Sequence, residues 1–220
     1  MQEVSESQIG GTVPTPVARE FDFRVMIHVD SRGQARLLKE VIQMFKEGTV
    51  VPDPDHPGFF VTDVPPRFVL LTDDALIPNF TGAGLRDGTP VGFRQSTVAY
   101  DFPEQFLNMN GAFDVGGTLV VDMTLDSNSP TNPFRHAFHP DHDNLDALFL
   151  NPREEAPTIN RTMRFQFASS DPEQQDRPTF GDTLMAGTYR ETLTGLHRNN
   201  IFVAGEFFLQ RTVSTPVLNQ

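Results

Sequence analysis

"QARLLKEVIQMF", residues 34–45, decides the fold class. Leu37, Leu38, Val41, Ile42 and Phe45 fit one face of a helix, and the segment is rich in good helix formers. Leu37, Val41 and Phe45 also share one face of a strand. The preceding "DSRG", residues 30–33, is a turn signal that suits a hairpin. Pattern alone leans to helix and leaves both readings open.

The surrounding chain favours strands. "FDFRVMIHVD" (21–30) alternates apolar and polar residues. "FFVTDV", "RFVLLTDD", "GFRQSTVAYDF" and "GTLVVDMTLD" (117–126) read as strands. "INRTMRFQFAS" (159–169) alternates cleanly, with Met163, Phe165 and Phe167 on one side and Arg164 and Gln166 on the other. "TLMAGTYRETLTGL" and "NNIFVAGEFFLQRTV" predict a hairpin around "HRNN" (197–200). "PDPDHPG" (52–58) and "VPPR" (64–67) are loops, and Ile77–Gly92 reads as a long Gly/Pro-rich loop of the kind that often carries function. Frequent turn signals between strands predict an all-β fold, a β-sandwich or jelly roll with long loops. One short helix is expected near 144–150. Residues 1–18 are expected as a flexible N-terminal arm, 19–213 as a single β-sandwich domain, and 214–220 as a C-terminal tail.

Composition narrows the function. The chain has 220 residues, enough for one large domain. Apolar residues make up 38%, so the core is economical and the 20 Phe residues dominate it. Trp is absent and Tyr occurs twice, which disfavours a sugar-stacking platform. The formal net charge of -12 disfavours nucleic acid and anionic membranes as partners and favours divalent cations or basic protein faces. Lys39 and Lys46 are the only lysines among 17 basic residues, and arginine suits bidentate pairing with carboxylates. Without cysteine there is no disulfide framework, thiol catalysis or thiolate zinc site. No apolar run reaches the ~20 residues of a membrane helix. The N-terminus lacks the basic start and apolar centre of a signal peptide.

Four segments carry a resemblance: "FRVMIHVDSRGQARLLKEV", "RFVLLTDDALIP", "TNPFRHAFHPDHDN" and "GTYRETLTGLHRNNIFVAGEFFLQR". Together they resemble an uncharacterised β-rich module found near the end of very large secreted bacterial surface proteins. The resemblance spans residues 20–213. It implies an extracellular or cell-surface place and a non-catalytic role, and it turns residues 34–45 into the second arm of a hairpin. A short chain beginning at Met departs from that pattern and leaves open a stand-alone subunit of an assembly.

The richest chemical stretch is "NPFRHAFHPDHDNLDALF", residues 132–149. His136, His139 and His142 recur every three residues, but that spacing drifts around a helix and Pro140 interrupts it. The zinc-protease arrangement of two His four apart with an adjacent Glu is absent. In a loop, His136, His139, Asp141, His142 and Asp143 could still converge on a structural divalent cation, calcium or zinc. The competing reading needs no metal. Asp143 caps a short helix "NLDALF", Asp146 completes a near capping box, and the imidazoles bond loop backbone or stack on Phe134 and Phe138.

Other polar groups read as structural. His28 is a satisfied sheet histidine, His56 lies in a solvated loop beside Asp53 and Asp55, and His197 is a turn residue. Asp73, Asp74 and Asp87 could pair for hydrolysis only if the fold brought them together. No serine sits in a nucleophile elbow, and no catalytic residue is assigned. The leading expectation is a non-enzymatic structural or interaction module, paired with copies of itself or with neighbouring modules of an assembly. The alternatives are a metal-dependent hydrolase, a calcium-dependent carbohydrate-binding domain and a capsid-like jelly-roll subunit.

Overall fold

The computed structural model describes residues 3–6, 15–16, 22–82, 84–87, 89–97, 102–127, 129, 132, 158–173, 177–196 and 199–219. The strands are β1 (Glu3–Glu6), β2 (Thr15–Pro16), β3 (Met26–Val29), β4 (Ala35–Leu38), β5 (Glu40–Lys46) and β6 (Thr49–Pro52). They continue with β7 (Phe60–Val64), β8 (Arg67–Leu71), β9 (Thr81–Gly82), β10 (Gly84–Arg86), β11 (Thr89–Val91) and β12 (Phe93–Ser96). The last are β13 (Phe106–Asn108), β14 (Asn110–Gly111), β15 (Thr118–Leu125), β16 (Ile159–Phe167), β17 (Leu184–Thr194) and β18 (Ile201–Gln210). The one helical element among the described residues is a 3-10 helix, Asp74–Asn79. The fold is all-β. The helix expected near 144–150 lies outside the described residues.

The chain divides into two compact units, residues 1–39 with 97–212 and residues 40–96 with 213–220. In the first, β14 to β18 form an antiparallel meander, and β1 and β2 extend it beyond β18. Within residues 1–18, expected as a flexible N-terminal arm, the described residues are these two strands, Glu3–Glu6 and Thr15–Pro16. Period two explains the meander. Leu119, Val121, Met123 and Leu125 of β15 and Met163, Phe165 and Phe167 of β16 are buried, while Asp122, Thr124, Asn160, Thr162 and Arg164 face solvent. The solvent face is tied by Thr162 Oγ1 donating to Asp122 at 2.6 Å and by Thr124 Oγ1 donating to Asn160 at 2.9 Å.

A smaller sheet, β13-β4-β3, shares this core through Ala35 and Leu37, with Ile27, Val29 and Leu107 packed beside them. Residues 34–45 are thus strand, not helix: β4 is the second arm of a hairpin with β3. The turn explains it. Asp30 accepts from the backbone N–H groups of Arg32 and Gln34 and from the Arg36 guanidinium, and Gly33 adopts φ 78°. The Gln34 N–H, foremost among these donors, holds the Asp30 carboxyl below its usual range. At Lys39 the strand breaks. Its ammonium donates to the Phe102 carbonyl at 2.8 Å, and its carbonyl accepts from Thr97 N–H.

In the second unit, β12, β5 and β8 form a sheet, with β9 beside the far end of β5. Ile42, Met44, Val69 and Leu71 form its buried face, covered by Leu76, Ile77 and Phe80 of the helical turn. Asp73 caps that turn by accepting from Ala75 N–H. Residues 77–92, expected as one long loop, instead contain the end of this turn and β9, β10 and β11. Gly82 makes the crowding possible, because a Cβ there would collide with the Val91 backbone. Asp87, with φ 50°, turns β10 into β11. The last pair, β6 and β7, forms a two-stranded sheet of its own.

Candidate functional site

His136, His139, Asp141, His142 and Asp143, with Asp146, lie outside the described residues, as does His197. Elsewhere, among the described residues, no group of three or more His, Cys, Asp or Glu is placed to hold a metal ion. Asp53, Asp55 and His56 sit at the tip of the β6–β7 hairpin. Asp53 accepts from Asp55 N–H at 2.9 Å and from His56 Nδ1 at 3.0 Å. The Asp55 N–H, followed by His56, keeps the Asp53 carboxyl below its usual range. Asp73, Asp74 and Asp87 have separate duties: a cap, an ion pair with Arg94 at 2.8 Å, and a turn. His28 is buried at 6% exposure on β3.

Two charged clusters were not singled out from the sequence. The first is buried. Glu191 is 4% exposed, pairs with the Arg161 guanidinium through Oε1, and accepts from the Tyr189 hydroxyl through Oε2 at 2.9 Å. Arg161 shares the parity of Met163 on β16, and Glu191 that of Tyr189 on β17, so all four side chains fall on the core side of one sheet. Both carboxylate oxygens are engaged, so this cluster ties β16 to β17. The visible signal was an acid and an arginine at buried parity in two segments that pair.

The second cluster locks the turn after β16. Asp171, 7% exposed, takes a bidentate grip from Arg177 Nε and Nη2, each at 2.7 Å, and accepts from Glu173 N–H. Arg177 is the main reason its pKa falls from 3.8 to about 2. A depressed folded-state pKa stabilises the fold above the unfolded value of 3.8 and loses that stabilisation as pH falls through about 2. Thermal midpoints measured across this window should therefore decline in acid. In Asp171→Asn the decline should be shallower, from a lower starting midpoint. A parallel decline in both proteins would show that Asp171 is not the group responsible.

The most exposed apolar feature among the described residues is the β6–β7 hairpin. Val50, Val51, Phe59, Phe60 and Val61 are 40–69% exposed. Cross-strand register puts Val51 and Val61 on one face, and Phe60 opposite Pro52 on the other. "VV" and "FFV" are runs in a strand, so they load both faces with apolar groups, and this is the sequence signal for the feature. A two-stranded ribbon is at best marginally stable alone in water. The site is an apolar arm with carboxylates at its tip.

An all-β chain carrying an apolar arm is the class that fold and surface define. No family model, curated protein or solved structure matches the chain. No helix among the described residues is long and apolar enough to cross a membrane.

Proposed function

We propose that this chain is a non-enzymatic interaction module of an extracellular or particle-like assembly, and that the β6–β7 arm is its contact element. The supporting observation is the arm itself, a ribbon apolar on both faces. Summed over its two faces, its large side chains present on the order of 500 Å² of apolar surface. Phe59 and Phe60, 69% and 67% exposed, bury little in folding, and large aromatic side chains carry much of the energy of interfaces. The resemblance to a module of large secreted surface proteins supports the extracellular placement.

The test is a photo-cross-linking residue at Thr62, on the arm, in the expressing cell. A discrete protein adduct that disappears in Phe59→Ser/Phe60→Ser is expected. Absence of any adduct, with the variant equally stable and equally abundant, would remove the arm's role.

A further inference from the structure

The second unit also exposes aromatic rings on its sheet. The β12-β5-β8 sheet is covered on one side by the helical turn. Register places Phe93 opposite Gln43 and Phe68 opposite Phe45, on the other side. Phe93 is 57% and Phe68 48% exposed, and the Phe45 and Phe68 rings meet edge to face at 5.6 Å. On the same side Leu70 is buried, so the open part of this face is the rings of Phe68 and Phe93, and they share one compact unit with the apolar ribbon.

We infer that the occupant of this face is the arm of a second copy of the chain, exchanged reciprocally about a two-fold axis. This rests on the arm being a contact element, as proposed above, and names its partner. Area carries the argument. A standard interface buries ~800 Å² per partner, of which somewhat more than half is apolar. The arm alone supplies about that apolar share on the order of 500 Å². The aromatic face supplies the receiving surface. Each copy gives one arm and receives one, so the contact closes as a dimer and does not propagate. The second face of each arm is left to its twin where the two cross at the axis.

Charge sets the conditions. Each copy has a net charge of -12, so the copies repel, and added salt should strengthen the dimer. A basic foreign partner would show the opposite salt dependence.

The experiment uses the whole 220-residue chain, which has no cysteine of its own. Sedimentation equilibrium is measured on the native protein and on Phe59→Ser/Phe60→Ser, in low and raised salt. A dimer is expected that tightens with salt and weakens roughly thirtyfold or more in the variant. Thr62→Cys and Gln95→Cys proteins, one isotopically labelled, are then mixed and oxidised. Arm-to-face disulfides between labelled and unlabelled chains should dominate. A strictly monomeric mass at high micromolar concentration, or arm-to-arm disulfides alone, would overturn the inference. In the monomeric case, an apolar dye that binds the native chain and not the variant leaves the arm available to another protein. Slow amide exchange across 49–64 in that monomer would overturn both readings together.

Discussion

Glu191→Ala should lower the unfolding free energy by about 3–5 kcal/mol, the usual cost of stranding one member of a buried ion pair. The Arg161 guanidinium would keep its place on the core side of β16 and lose the carboxylate that neutralises it. The Tyr189 hydroxyl, 2% exposed, would lose an acceptor as well. The double change Arg161→Met/Glu191→Leu should behave differently, because it removes both charges and fills their volume. It should return the protein to native stability or above it, and adding Tyr189→Phe should remove the residual cost of the hydroxyl. Urea unfolding midpoints at fixed protein concentration test this. If the single and double variants lose equal stability, the pair is not coupled as its geometry demands.

The ion pair also bears on register. β16 and β17 are matched over eight residues, and a slip of one would move every Phe of β16 from core to solvent. A slip of two keeps the parity and is opposed only by particular side-chain partners. Arg161 and Glu191 are such partners, two rungs of specific chemistry in an otherwise apolar face.

How much of this was legible depends on how many elements a signal involves. The β15 to β18 meander was readable because burial on one face imposes period two, visible in "TMRFQF" without knowledge of any partner. Residues 34–45 were ambiguous for a physical reason. Leu37 and Leu38, then Val41 and Ile42, satisfy a helical stripe. The chain instead uses the doublets to bury Leu37 and Leu38 on the two sides of β4. The Asp30 turn, a local device, decides between them by delivering the segment antiparallel to β3. The Arg161–Glu191 pair left only the trace of an acid and an arginine at buried parity, because matching them requires the register of two strands separated by a long connection. The arm had a signal in "VV" and "FFV", but doublets in short strands also occur in fully buried sheets, and only exposure separates the cases. The His/Asp stretch, the most conspicuous in the sequence, lies outside the described residues, so its two readings stand as chemistry on the page of the sequence alone.

Phe165→Ala should cost about 3–5 kcal/mol, whereas Phe60→Ala should change stability by no more than about 0.5 kcal/mol. The two residues are chemically identical and both lie in strands, so the contrast isolates environment. Phe165 is 1% exposed and meets the rings of Tyr189 at 5.1 Å and Phe207 at 5.5 Å, both edge to face. Its removal deletes those contacts and leaves a cavity that strands fixed on both sides cannot close. Phe60 is 67% exposed on a ribbon without a covering layer, so truncation removes almost nothing that folding had gained. The readouts should therefore cross. Phe165→Ala shifts the urea midpoint and leaves association intact in whatever fraction stays folded. Phe60→Ala leaves the midpoint of the dilute chain unchanged and weakens association. Dilution matters, because a dimer stabilises its folded protomers by mass action and would lend Phe60 an apparent share of folding energy at high concentration. A Phe60→Ala loss of several kcal/mol in dilute solution would mean that the arm is packed within its own chain, and the case for a contact element would end there.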